Sequence, residues 1–227
     1  MDIPNQQLGS ADLSIARSRM YFLLAAGFSF PTGSVHAQLT DGTYAEDVST
    51  VLAVCAPELR EAADIESLRT ESSFGDFEAA YLSAFETNMP EPSVSLYEGS
   101  YVQKNNRPAL LLEIKGFYRN FGLEMDASVN DLEDTLTAEF EFMQFLAAKE
   151  AEAEENSTDP SPYQRAQHDF MARHLAAWLP AFNNAVANQV RNGVFVSLAK
   201  LAADFVARDF NALERRTTCY AITTDVE

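Results

Sequence analysis

Apolar residues recur along this chain at steps of three and four, the spacing of a helix face, and not at the step of two that marks a strand. The pattern is cleanest in residues 73–89, where Phe74, Phe77, Tyr81, Phe85 and Met89 put large side chains on one face. Residues 44–56 carry Tyr44, Val48, Val51, Leu52 and Cys55 at the same spacing. Residues 10–29 predict a first helix, with Ser10 or Asp12 as its cap and Pro31 as its stop. Pro57 suits the first turn of a short helix running to about Thr70. Pro108 opens the next, from Leu110 to Phe121, and Gly122 stands where helices take a left-handed terminal residue. A long central helix is then predicted, capped by Asn130 or Asp131 with Asp134 in its acidic first turn. Its stripe of Leu132, Leu136, Phe140, Met143 and Ala147 is widened by Phe142, Phe145 and Leu146, which places it in the middle of the domain. Three further helices are expected over 162–177, 179–191 (with Pro180 in the first turn) and 194–208.

These segments make the fold class all-α: a single globular helical bundle of roughly eight to ten helices. It should fill residues 1–216 as one domain, with 217–227 a loose C-terminal tail. Two stretches break the helical period. Pro90, Pro92 and Gly99 make a loop of about fifteen residues, longer than packed helices need, and loops of that kind tend to carry function. Residues 151–162 are acidic and rich in breakers, and read as a solvated linker.

The 227 residues suffice for one large domain with a real core, and 16 Phe, 8 Tyr and 1 Trp supply aromatic material for it. Charge changes the picture more. With 34 acidic and 16 basic residues the formal net charge is −18, a field that repels nucleic acid and anionic membrane and favours a basic partner. Solubility or salt adaptation accounts for the same surplus. Cys55 and Cys219 are too few and too far apart for a disulfide framework or a metal motif, so a reducing compartment is the default. Arg17 and Arg19 ahead of an apolar run have the layout of a secretory signal. Asp2 and Asp12 upstream, the aromatics within the run and its shortness favour a buried first helix over a signal or a membrane span.

Enzyme motifs are missing from the sequence. His36, His168 and His174 form no Glu-x-x-His pair, and the six-residue step from His168 to His174 is wrong for a zinc-protease helix. There is no Gly-x-x-x-x-Gly-Lys-Ser/Thr loop, no Gly-x-Gly-x-x-Gly turn and no Gly-x-Ser-x-Gly elbow. Glu139 and Glu141, two apart on a helix, cannot converge as an acid/base pair and read as a solvated flank of the central helix.

Four segments in order resemble one family: residues 17–31 (RSRMYFLLAAGFSFP), 113–123 (EIKGFYRNFGL), 130–146 (NDLEDTLTAEFEFMQFL) and 168–180 (HDFMARHLAAWLP). Together they are similar to the TorD/DmsD/NarJ family of redox-enzyme maturation chaperones. The resemblance implies an all-helical, cytoplasmic chaperone and not an enzyme, with no cofactor of its own. Its partner would be the catalytic subunit of a molybdenum oxidoreductase, held by an N-terminal segment that is often a twin-arginine export signal, without nucleic acid and without stable membrane insertion. The alternative is a helical accessory subunit retained in the mature redox complex. The resemblance also implies site residues. Asp131 and Asp134 stand at the family's acidic positions, while Thr135 replaces the histidine that usually follows; Pro92, Leu96, Tyr97 and Glu98 match a Pro-rich loop and its apolar-acidic turn. Physics points the same way: a cationic peptide with an apolar stretch needs carboxylates beside an aromatic trough. Each residue also has a plainer reading, Asp131 and Asp134 as helix caps and Tyr97 as a pin for its loop.

Overall fold

The computed structural model describes residues 9–86, 93–102, 106–125 and 132–224, with side chains as far as Arg216. Ten α-helices run through them: α1 (Ser10–Phe28), α2 (Gly33–Asp41), α3 (Thr43–Cys55), α4 (Pro57–Ala62), α5 (Phe74–Tyr81), α6 (Arg107–Asn120), α7 (Leu136–Glu155), α8 (Ser161–Arg173), α9 (Leu175–Gln189) and α10 (Gly193–Thr224). No strand occurs among the described residues. The fold is the all-α bundle that the helical periodicity predicts.

Helices α1 and α7 are the axis of the bundle and run antiparallel, since Ser14 reaches Glu154, Arg17 reaches Glu150 and Phe28 stacks on Phe140. Around Phe28 the aromatic rings of four other elements close: Phe85, Phe140, Phe182 and, through Phe85, Phe195. Each such pair adds about 0.5–1.5 kcal/mol beyond its buried area. This packing is why α7 is apolar over so much of its circumference.

The helices start and stop for local reasons. Ser73 caps α5 by accepting from Asp76 N–H, and Gly122, at φ +73°, ends α6 with Leu123 N–H donating to Tyr118 C=O at 3.0 Å. After α5 the helix widens to a π-turn over Leu82–Glu86, which carries Phe85 into the core.

Several boundaries differ from the sequence reading. Helix α2 is absent from it because only Leu39 is buried there, too weak a stripe to register; Thr32 caps it and Gly42, at φ +91°, ends it. Helix α7 begins at Leu136, so Asp134 precedes the helix instead of sitting in its first turn, and the cap is Thr135, whose hydroxyl accepts from Ala138 N–H. The expected caps Asn130 and Asp131 lie outside the described residues, as does Met89. The breaker-rich linker is shorter than 151–162: α7 continues to Glu155 with Ala151 and Ala153 buried, and the turn follows. Helices α8 and α9 part at His174, which leaves Pro180 inside α9 rather than in its first turn. The longest helix is α10, whose backbone carries on to Thr224.

One glycine is required by close approach. A Cβ on Gly27 would sit 2.5 Å from Leu198 Cδ2 and 2.6 Å from the Tyr44 hydroxyl, both buried. Gly27→Ala is therefore expected to lower the thermal unfolding midpoint, since overpacking of about 1–3 kcal/mol outweighs the roughly 1 kcal/mol that alanine gains over glycine in a helix.

Candidate functional site

Segment 96–98 lies antiparallel against 134–136. Glu98 N–H donates to Asp134 C=O at 2.9 Å, Leu136 N–H donates to Leu96 C=O at 2.8 Å, and Tyr97 bridges Thr135. The two stretches singled out from opposite halves of the sequence thus meet and form one wall. Leu96, Tyr97 and Thr135 line a cleft of about 420 Å³ beside it. Phe28, Phe30, Tyr81 and Phe85 supply its aromatic side, and Glu86, Glu124 and Glu141, all exposed, supply its charge. Among the described residues no Lys or Arg lines the cleft. Partial burial holds the Glu141 carboxyl above its ordinary value.

Glu98 and Asp134 do not open into this cleft. Both are fully buried behind the wall. Asp134 accepts from Gly99 N–H at 3.0 Å and from the Arg107 guanidinium at 3.0 Å, and Arg107 lies over the Tyr97 ring at 5.0 Å. Glu98 meets His174 Nδ1 at 3.1 Å, and Nε2 of that imidazole lies 3.4 Å from Glu113. Gly99 has to be glycine here, because a Cβ would stand 2.9 Å from the Asp134 carboxylate. Pro92 and Asp131 lie outside the described residues.

Glu139 corrects the sequence reading. It is fully buried, with its carboxylate accepting from the Trp178 indole N–H at 3.0 Å. Burial above all, and the neighbouring Glu98 carboxylate next, push its pKa well above the ordinary 4.5. The spacing held the signal: Glu139 is three after Leu136 and four before Met143, on the buried stripe. The same arithmetic places Glu150, which is also fully buried. Arg17 is buried as well. It is 1% exposed, with Asp209 bound to it bidentately and Glu150 at 2.7 Å.

The comparisons now bear on this arrangement. A family described as nitrate reductase delta subunit matches residues 45–184. A perchlorate reductase assembly chaperone protein from Dechloromonas aromatica (strain RCB) is 54% identical over 198 residues, covering 86% of this chain and 88% of the relative. The chain belongs to the TorD/DmsD/NarJ family. A dimethyl sulfide dehydrogenase assembly chaperone protein from Rhodovulum sulfidophilum is 30% identical over 206 residues, 85% of this chain and 80% of its own. The chaperone protein TorD of Vibrio cholerae (El Tor Inaba N16961) is 31% identical over about half of each chain, 52% and 54%. A crystal structure of a candidate redox enzyme maturation protein from Archaeoglobus fulgidus shares the fold, with a TM-score of 0.52 and 14% identity over 90% of this chain and 99% of that one. Relatives in the TorD/DmsD/NarJ family are assembly chaperones of molybdoenzymes and are not catalytic, so this member is a chaperone and not an enzyme. Among its described residues no helix is long and apolar enough to cross a membrane.

Proposed function

We propose that this protein is a cytoplasmic chaperone that holds the N-terminal segment of a molybdenum oxidoreductase catalytic subunit until cofactor is inserted, and that the segment lies in the cleft between α1, α5, α7 and the 96–98 wall. The observation that carries this reading is the lining itself: an aromatic floor with three exposed carboxylates and no cation among its described lining residues. A peptide with an arginine pair followed by apolar residues satisfies both parts, since guanidinium takes carboxylates bidentately while apolar side chains cover the rings. The overall excess of 34 acidic over 16 basic residues steers such a peptide toward the surface. Leu96, Tyr97 and Thr135 touch the peptide in this reading, while Glu98 and Asp134 hold the wall that presents them. A partner related to perchlorate reductase is the natural first choice, given the relative's name.

Calorimetric titration with N-terminal peptides of molybdoenzyme catalytic subunits encoded beside this gene tests it. Saturable binding is expected, weakened about tenfold or more when Glu86, Glu124 and Glu141 are all changed to glutamine, at roughly 0.5–1 kcal/mol for each charge. An arginine-to-lysine pair in the peptide should bind less well, because lysine lacks the planar fork. Binding should also weaken as pH falls through the raised Glu141 value and that carboxylate loses its charge. If no peptide binds to folded protein, the chain is better read as an accessory subunit retained in the mature complex.

A further inference from the structure

Behind the cleft wall three carboxyl groups are fully buried together: Glu98, Asp134 and Glu139. Their partners are unequal. Asp134 has the Arg107 guanidinium and the Gly99 N–H, and Glu98 has the His174 imidazole. Glu139 has no cation. One of its oxygens accepts from Trp178, while the other is buried and receives no hydrogen from any N–H or hydroxyl donor. The neighbouring charge that bears most on that carboxyl is the Glu98 carboxylate. Two carboxylates so placed repel, and an ionised Glu139 would be a buried charge without a counter-charge. A proton between them removes both difficulties, and it gives the unserved oxygen a role as donor.

We propose that Glu139 is the positioning residue of the cleft: as a neutral acid it donates its O–H to Glu98 and thereby latches the 96–101 segment onto α7 and α9. The latch has a second clasp. Tyr101, at the far end of the same segment, stacks on Trp178 at 5.2 Å, and Trp178 is the ring whose N–H is bound to Glu139. Its hydroxyl donates to Ser95 C=O at 2.8 Å and so folds the segment back on itself. Leu96 and Tyr97, which line the cleft, therefore keep their position through Glu98 and Tyr101, and both of these rest on the Glu139–Trp178 pair.

Every charged or titratable group facing Glu139 fits this arrangement. Glu98 comes from the wall, and Asp134 and Glu133 from the turn before α7. Tyr118 comes from α6, and its own hydroxyl is pushed well above its ordinary value, first by burial and next by Glu139. Trp178 comes from α9, and His174, between α8 and α9, reaches the site only through Glu98. From α6, Arg107 is engaged with Asp134, Glu113 with Arg173 and Lys115 with Glu133. Arg17 of α1 is committed to Glu150, eleven residues or roughly 16 Å further along α7. None of these supplies a positive charge to Glu139.

The sign of the pH effect follows. The folded protein binds the Glu139 proton more tightly than the unfolded chain does, so this contribution to stability is complete below about 4.5 and is lost as pH rises through the elevated value. Losing the proton frees the wall, and the stacked, hydrogen-bonded Trp178 registers it. Because that residue is the only tryptophan, the protein reports on its own latch.

The inference depends on the peptide-binding reading only for what the cleft holds, and its test uses the protein without peptide. Trp178 emission and the thermal midpoint are followed from about pH 5 to about pH 9. Wild-type protein should show one emission transition, with the midpoint falling as pH rises through it. Glu139→Gln keeps both hydrogen bonds, its amide N–H to Glu98 and its carbonyl to Trp178, and carries no proton to lose. It should fold, keep the low-pH emission throughout and lose the transition. His174→Gln removes the imidazole bound to Glu98 and should leave the transition in place. A wild-type emission that ignores pH, a transition that survives in Glu139→Gln, one that disappears with His174→Gln, or a Glu139→Gln protein that does not fold would each overturn the proposal. A positive result here beside failed peptide titrations would leave the latch standing and remove only the ligand.

Discussion

Arg17→Ala is expected to be the most damaging single substitution in the chain, lowering stability by about 3–5 kcal/mol and leaving little folded protein at physiological temperature. The guanidinium holds Asp209 through Nε at 2.6 Å and Nη2 at 3.0 Å, and Glu150 through Nη1 at 2.7 Å. Tyr21, Gln164, Gln167 and Arg216 complete the bonds to those two carboxylates. Removing the cation leaves Asp209 and Glu150 buried, both ionisable, with only neutral donors and one peripheral arginine. Desolvation then outweighs what remains. Arg17→Lys should recover a minor part, since an ammonium cannot span Asp209 bidentately while also reaching Glu150. Chemical denaturation read by far-UV circular dichroism, with the midpoint compared at constant slope, measures this. A loss below about 1 kcal/mol would place the network among weak surface pairs instead.

Asp134→Ala is the second large effect, and it differs in kind. The carboxylate is the acceptor for Gly99 N–H and the partner of Arg107, so its loss leaves a buried donor unmatched and frees the guanidinium that rests on Tyr97. The local cost is about 2–4 kcal/mol, concentrated in the wall and not in the bundle. Peptide affinity should fall tenfold or more while far-UV circular dichroism stays near wild type. Hydrogen exchange at the amides of 97–101 should quicken selectively. Asp134→Asn keeps an acceptor for Gly99 and should be intermediate. Equal loss of protection in α1 and α7 would show that Asp134 supports the core as well.

How far the sequence foretold this arrangement depended on what each residue answers to. Helices with a strong stripe were legible: Phe77, Tyr81 and Phe85 are buried as their spacing requires, and Gly122 ends α6 with a positive φ. Helix α2 was not, because one buried leucine cannot raise a periodic signal above its polar neighbours. Residues 96–98 and 134–135 were singled out separately, and the backbone pairing that joins them was invisible, since a three-residue bridge has no period of its own. Glu139 fell to a bias of a different sort. Its position on the stripe is available by counting, but residue type alone places a charged side chain in solvent, and only three-dimensional neighbours such as Trp178 reveal the buried role. Thr135 stands where the family resemblance implies a histidine, and its place as the cap of α7 shows that the position first answers to helix initiation.

The span of the Arg17 network has a consequence for how the protein is made. Glu150 lies 133 residues after Arg17 and Asp209 lies 192 after it. During synthesis, α1 leaves the ribosome ahead of α7 and α10, and its guanidinium waits for the anions they carry. At about 5–20 residues per second, some ten to forty seconds separate the first helix from its last partner. Through that interval the Tyr21 ring of α1 lacks Phe205 of α10, the ring it meets edge-on at 5.2 Å. The chaperone thus passes through an unfinished state of its own, and its completion is timed by the arrival of α10.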